Sequence, residues 1–272
     1  MTDSSSASGP LDASRPDAGQ LDAGPPEGTT PARPVCAVLC SAGLDSAVLL
    51  AHEAHITNGA GPVVPVYVRV GLAWEDAERA TLDALLAAPI FGGNNLAGGD
   101  TPPVAPLIVL DLDMRDVYPR SHWALRGAAP AYDTPDEDVY IVGRNIVLLT
   151  KAAIACAYRA IGRIAIGPLA GNPFPDATPE FFAAMGRALS LGLAHGIAIE
   201  APFASWEKSA VIARGLELGV PLEHTLSCMS PVEAGRGAWI HCGQCSKCRE
   251  RRDAFAEAGV DDPTIYAAAS PR

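Results

Sequence analysis

Four cysteines near the C-terminal end limit this fold more than any other feature. Cys228 stands alone, and Cys242-Gly243-Gln244-Cys245-Ser246-Lys247-Cys248 follows it. Two overlapping C-x-x-C steps place three thiolates in one tight loop, and Cys228 supplies a fourth. Adjacent C-x-x-C steps are awkward for separate disulfides. Four soft ligands at this spacing suit a tetrahedral, closed, structural zinc site bound by Cys228, Cys242, Cys245 and Cys248. The fold must therefore end in a metal-stapled loop, and its chemistry must lie elsewhere. Cys36, Cys40 and Cys156 sit in apolar stretches and read as core thiols. That usage fits a reducing compartment, so a cytoplasmic protein is expected.

Upstream, short apolar runs alternate with helical patterns. Strands are expected at 35–40, 63–70, 107–110, 164–167 and 197–200. Helices are expected at 45–55, 74–87, 145–160, 180–195, 208–218 and 249–258, with an irregular insertion at 111–140. Glu75, Asp76 and Glu78 fall in the first turn of the second helix, as the helix dipole favours. This alternation predicts an α/β domain with a doubly wound parallel sheet. Its ligands would sit at the carboxyl ends of the strands, near 41–46, 71–76 and 168–179.

Residues 1–33 are rich in Pro, Gly, Ala, Ser and Asp and are too poor in apolar surface to offset ordering. They are expected to form a disordered acidic tail. Residues 34–225 form the α/β domain, 226–258 the zinc-binding subdomain, and 259–272 a C-terminal tail. The tail lacks the apolar core of a signal peptide, and no apolar run approaches membrane-spanning length. The net charge of −11 argues against a large nucleic-acid footprint. The one dense basic cluster, Lys247, Arg249, Arg251 and Arg252, lies beside the cysteines and reads mainly as structural.

The strongest chemical signal is Ser41-Ala42-Gly43-Leu44-Asp45-Ser46, between the first strand and helix. Small residues let backbone N–H groups approach an anion, and the helix N-terminus adds partial positive charge. Asp45 would hold a magnesium ion bridging phosphates, or else cap the helix. No Lys-Ser/Thr follows the glycine, so the loop is not a Walker motif, and it lacks the spaced glycines of a dinucleotide fingerprint. It resembles the Ser-Gly-Gly-x-Asp-Ser loop of the PP-loop ATP pyrophosphatases, with Ala42 where that family has glycine.

With the cysteines added, residues 35–258 resemble the 7-cyano-7-deazaguanine synthases of queuosine-type biosynthesis. Val142-Gly143-Arg144-Asn145-Ile146, Ala188-Leu189-Ser190-Leu191-Gly192, Glu200-Ala201-Pro202 with Lys208, and Leu226-Ser227-Cys228 match that family's segments in order. The resemblance implies an adenine-nucleotide alpha-hydrolase-like fold and an ATP-dependent carbon–nitrogen ligase. It implies that a 7-carboxy-7-deazaguanine-type carboxylate is adenylated and attacked by ammonia, and that the resulting amide is adenylated at oxygen and loses AMP to give the nitrile. Zinc would be structural, with ATP and Mg2+ as cosubstrate; no membrane is involved, and a homodimer is compatible with the resemblance.

Residues 41–46 would cradle the phosphates, with Asp45, Arg144 and Lys208 as catalytic groups. Asn145 and Asp176 would meet the acceptor, Asp176 at its guanine-like edge. Trp74 and Glu75 are candidates to lie over the nucleotide, the alternative for Glu75 being dipole stabilisation. His241 reads as a bystander of the cysteines, and His52, His55 and His195 as helix-surface residues. Two stretches depart from the family pattern: Tyr67 to Glu75 after strand two, and Gly171 to Thr178 after strand four, which keeps Pro175-Asp176. Another carboxylate or amine acceptor is therefore the alternative reading, ahead of a tRNA-modifying enzyme.

Overall fold

The computed structural model describes residues 34–92, 103–235 and 237–269. The expected tail at 1–33 and most of the loop at 93–102 lie outside the described residues. The elements run β1 (Cys36–Leu39), α1 (Leu44–Thr57), β2 (Val63–Arg69), α2 (Glu75–Leu86), β3 (Ile108–Asp111), α3 (Trp123–Arg126), α4 (Arg144–Ala157), β4 (Arg163–Ala165), α5 (Pro179–Leu193), β5 (Ala198–Glu200), α6 (Lys208–Glu217), β6 (Val232–Gly235), β7 (Ala238–Ile240) and α7 (Ser246–Ala258).

Five strands form one parallel sheet in the order β3-β2-β1-β4-β5. β1 is the buried centre, and alternation sorts its side chains between two cores. Ala37 and Leu39 pack with Val64, Val66, Leu149 and Ala153 toward α4 and α5. Cys36, Val38 and Cys40 pack with Leu49, Leu50, Val211, Ile212 and Phe255 toward α1, α6 and α7. Burial pushes the thiols of Cys36, Cys40 and Cys156 up to about 12, 11 and 11, so all three stay protonated core groups. The chain winds outward one way through β2 and β3 and the other way through β4 and β5. The strand order therefore reverses between β1 and β4, the place where such sheets open a crevice. Arg163 of β4 grips the fully buried Glu53 of α1 with two bonds of 2.7 and 2.8 Å, fixing α1 beside that crevice.

The expected strands and long helices are all present, with ends shifted by a few residues. Two elements were not anticipated. The insertion at 111–140 contains α3, whose first turn is capped by the His122 ring accepting from the Ala124 amide at 3.2 Å. An antiparallel hairpin, β6–β7, leads into the cysteine loop. Among the described residues, no helix is long and apolar enough to cross a membrane.

Candidate functional site

The loop after β1 turns sharply into α1. Ala42 adopts φ +61°, the left-handed conformation that an L side chain resists, whereas Gly43 has an ordinary φ of −59°. The loop is held from both ends. Ser46 Oγ accepts from the Ser41 amide at 3.3 Å and donates to the Gly43 carbonyl at 3.0 Å. The Ala42 carbonyl accepts from the Leu226 amide at 2.8 Å, two residues before Cys228. Gly43 is the N-cap of α1, and no side chain caps that helix. Asp45 is therefore not its cap, and the first-turn N–H groups of α1 point toward the crevice with their partial positive charge.

A cleft of about 270 Å³ lies over this loop. Leu39, Val66, Tyr67, Leu148 and Ile166 form an apolar wall, while Ser41, Asp45, Ser46, Arg144 and Asn145 supply polar groups. A second cleft of about 340 Å³ shares Asp45, Gly167, Pro168, Asn172 and Phe174 with the first. It continues along Lys208, Lys247, Arg249 and Glu250. Two buried polar atoms at the first cleft lack any hydrogen-bond partner: Asp45 Oδ1 and Arg144 Nε. Such orphans are rare, because an unpaired buried polar group costs roughly 1–3 kcal/mol. A carboxylate oxygen and a guanidinium nitrogen, buried and unpaired beside an uncapped helix start, fit a site for a metal-bound polyphosphate.

Lys208 is 13% exposed, and its ammonium lies 3.1 Å from Asp45 Oδ2 and against Glu250 Oε1. Burial opposes its charge, but the two carboxylates outweigh burial and hold it above the ordinary lysine range. Arg144 opens α4 behind Gly143, which supplies the left-handed N-cap at φ +76°. Asn145 follows, and its amide donates to Asp176 Oδ2 at 3.1 Å. Its side-chain nitrogen reaches the Asp176 carbonyl at 3.0 Å and Oδ1 at 3.3 Å. The Asp176 carboxylate is thus turned onto the start of α4, in place of the ring edge assigned to it from the sequence. Phe174 lines both clefts and stacks on Tyr140 at 5.2 Å.

Trp74 and Glu75 do not line the cleft. Glu75 accepts from the amides of Val70 and Gly71 at 2.6 and 3.0 Å, bracing the turn after β2. Trp74 stacks on Trp123 and donates its indole N–H to Glu78 at 3.1 Å. Glu78 also accepts from the Tyr67 hydroxyl at 2.8 Å. Burial pushes the Glu78 carboxyl up to about 7, against the lowering pull of nearby Arg144 and of these bonds. Periodicity does not distinguish such a buried carboxylate from a first-turn surface one. Tyr67 and Phe174 were missed as cleft residues; an aromatic between two prolines in the loop after β4 was the available signal for Phe174.

The four cysteines close a second, separate centre. Their sulfurs all lie within 4.8 Å of one another, with separations of 3.5, 3.8 and 3.9 Å among them. A regular tetrahedron with metal–sulfur bonds of about 2.3 Å has edges of about 3.8 Å, whereas a disulfide bond is about 2.05 Å. The amides of Ser230 and Cys242 point at Cys228 Sγ, and that of Gln244 at Cys242 Sγ, each at 3.3 Å. The cluster can hold zinc. His241 lies outside the group, and its Nε2 accepts from the Ser227 amide at 3.1 Å. Burial pushes His241 down to about 3, keeping it neutral for that bond.

The basic cluster divides. Arg251 is fully buried and donates to Thr225 and the Leu222 carbonyl, the partly buried Arg252 donates to the Gly243 carbonyl, and Lys247 and Arg249 line the second cleft. The segment after α7 folds back across the cysteines: the His241 backbone amide donates to the Ile265 carbonyl, and its carbonyl accepts from the Ala267 amide. Gly243, at φ +81°, faces the Ala268 carbonyl so closely that a Cβ would lie 2.1 Å from its oxygen. His52 receives Arg214 Nε at 3.3 Å, and His195 bonds the Ile161 carbonyl at 2.9 Å, so both are structural.

Comparison with known proteins identifies relatives. The family described as "Queuosine biosynthesis protein QueC" matches residues 119–259. The 7-cyano-7-deazaguanine synthase of Methanothrix thermoacetophila is 32% identical over 86% of this chain and 98% of its own length. That of Methanopyrus kandleri is 29% identical over 84% of this chain and 97% of its own. A third, from Methanothermobacter thermautotrophicus, is 35% identical, but that match spans 47% of this chain and 56% of the relative.

Proposed function

Because this chain belongs to the QueC family, we propose that it is an ATP-dependent ligase converting a 7-carboxy-7-deazaguanine-type carboxylate, with ammonia, to 7-cyano-7-deazaguanine. The observation that carries the proposal is the pair of buried, unpaired charged atoms, Asp45 Oδ1 and Arg144 Nε, on two residues that line a cleft over the start of α1. ATP supplies the activation twice: the carboxylate oxygen leaves as part of AMP when ammonia attacks, and the oxygen of the resulting amide, adenylated in turn, leaves as a second AMP to give the nitrile. The chain's own groups bind and orient. The N–H groups of residues 43–46 take the phosphates, and Arg144 neutralises charge that develops during transfer. Lys208 would meet the leaving group, and the Asp45 carboxylate would hold the magnesium ion that accompanies ATP. The apolar wall of Leu39, Val66 and Tyr67 covers the nucleotide base and excludes water.

Phe174 offers a ring face to the acceptor heterocycle beside Asn172. Zinc on Cys228, Cys242, Cys245 and Cys248 is structural, and it acts on the site through the Leu226–Ala42 bond. The test is mass spectrometry of the zinc-loaded protein with 7-carboxy-7-deazaguanine, ATP, magnesium and ammonium. The expected product is the nitrile, with AMP and pyrophosphate formed only when the acceptor is present. One observation favours a second reading, adenylation of a different heterocyclic carboxylate: both Asp176 oxygens are engaged by Asn145 and are not turned to a ligand. ATP consumption with another acceptor and none with 7-carboxy-7-deazaguanine decides for it.

A further inference from the structure

Five charged side chains alternate in sign from the phosphate loop across the molecule. Asp45 of α1 pairs with Lys208 of α6, and Lys208 with Glu250 of α7. Glu250 Oε2 takes Lys247 at 2.6 Å, and Lys247 reaches Asp136, before α4, at 3.1 Å. Glu250 is the midpoint, and each of its oxygens holds one lysine. At the inner end, Lys208 occupies Asp45 Oδ2 and leaves Oδ1 buried without a partner, on a residue that lines both clefts. A buried ammonium with a single carboxylate would settle fully onto it. A second carboxylate behind it pulls it outward and divides its charge.

We propose that Glu250 is the positioning residue of the phosphate site. By drawing Lys208 to the outer side of Asp45, it keeps Asp45 Oδ1 open for the cation that accompanies the nucleotide. When that cation takes up the charge of Asp45, Glu250 remains as the counter-charge that keeps the Lys208 ammonium in place. Glu250 touches neither nucleotide nor acceptor and acts through Lys208. This inference rests on the ATP reading above.

The test is calorimetric ATP binding by the zinc-loaded full chain at stepped magnesium concentrations, without acceptor. Glu250→Gln keeps the volume and one hydrogen bond but removes the charge. Lys208 then collapses onto Asp45 and competes with magnesium, so half-saturating magnesium rises about tenfold, while zinc content stays at the wild-type level. Glu250→Asp moves the value back toward wild type. Lys247→Gln works in the opposite direction: Glu250 is left wholly to Lys208, and the magnesium requirement falls. A merely structural tie between helices predicts loss of stability from both neutralising variants and opposite shifts from neither. Identical magnesium dependence in wild type and Glu250→Gln, or shifts of the same sign in Glu250→Gln and Lys247→Gln, overturns the assignment while leaving the ATP reading intact. No magnesium-dependent ATP binding by the wild type overturns the ATP reading, and this assignment with it.

Discussion

The cysteine centre and the phosphate loop lie in one domain and are built on opposite terms. The cysteine centre is closed: its four sulfurs face one another, backbone amides point at two of them, and the Arg251 and Arg252 guanidiniums fasten the surrounding turns. The loop after β1 is strained at Ala42, and two charged groups beside its cleft, Asp45 Oδ1 and Arg144 Nε, lack partners, whereas the cysteine loop leaves one neutral hydroxyl, Ser246 Oγ, unpaired. Unpaired buried charges are the costlier of the two, and the surrounding core carries that cost. The two are joined by the bond from the Leu226 amide to the Ala42 carbonyl and by the charge chain from Asp45 through Lys208 and Glu250 to Lys247.

The largest expected effect tests whether the closed centre supports the phosphate loop. Cys245→Ser should abolish stoichiometric zinc and cost at least about 5 kcal/mol, a fall in Tm beyond about 10 °C, given that such metal sites contribute roughly 10–16 kcal/mol in small peptides. Elemental analysis and thermal melts check it, and a mutant that melts like wild type breaks the contrast. Next, Asp45→Asn should lower acceptor-dependent AMP release by about 100-fold or more, because it removes a charge aimed at the reacting groups. Its Tm should fall by no more than about 5 °C, since Asp45 caps nothing and Lys208 keeps Glu250 as a counter-charge. Undiminished AMP release would strip Asp45 of its role.

The third prediction concerns the carboxylate buried behind Tyr67. Glu78 keeps its proton to about pH 7 in the folded state, whereas an ordinary glutamate loses it near 4.5. The folded protein therefore binds more protons between those values, and stability falls as pH rises through that window and is level above it. The contribution is about 3 kcal/mol in all. Glu78→Gln should remove this slope, so its stability relative to wild type rises by about that amount between pH 4.5 and 8, as read from denaturant midpoints. The smallest effect belongs to Ala42→Gly. The left-handed conformation costs alanine about 1–2 kcal/mol, and glycine loses about 0.5–1 kcal/mol of chain freedom. A net gain of about 0.5 kcal/mol with unchanged ATP binding is expected.

Much of this contrast was legible before any coordinates. The cysteines announce their cluster because metal ligation fixes residue type and spacing together. β1 and the loop after it were visible because an unbroken apolar run ending in small residues has few other uses. What stayed hidden depends on long-range pairing. Asp176 was read as a recognition residue because a loop carboxylate beside proline carries no mark of its partner, and that partner, Asn145, lies on another helix. Glu78 and Glu250 sit at helical positions that would suit solvent equally well; only tertiary packing encloses one and sets the other between two lysines. The β6–β7 hairpin escaped notice because its first strand is exposed and has no apolar face to set a period.

The bond between residues 42 and 226 also has a consequence in time. Most of the folded domain lies between its two ends, so closing it carries a large loop-closure cost. The loop after β1 leaves the ribosome early but reaches its final shape only when the cysteine segment arrives. Under the proposed function, competence to hold a nucleotide is acquired late, and ATP binding would report completed folding rather than a locally formed loop.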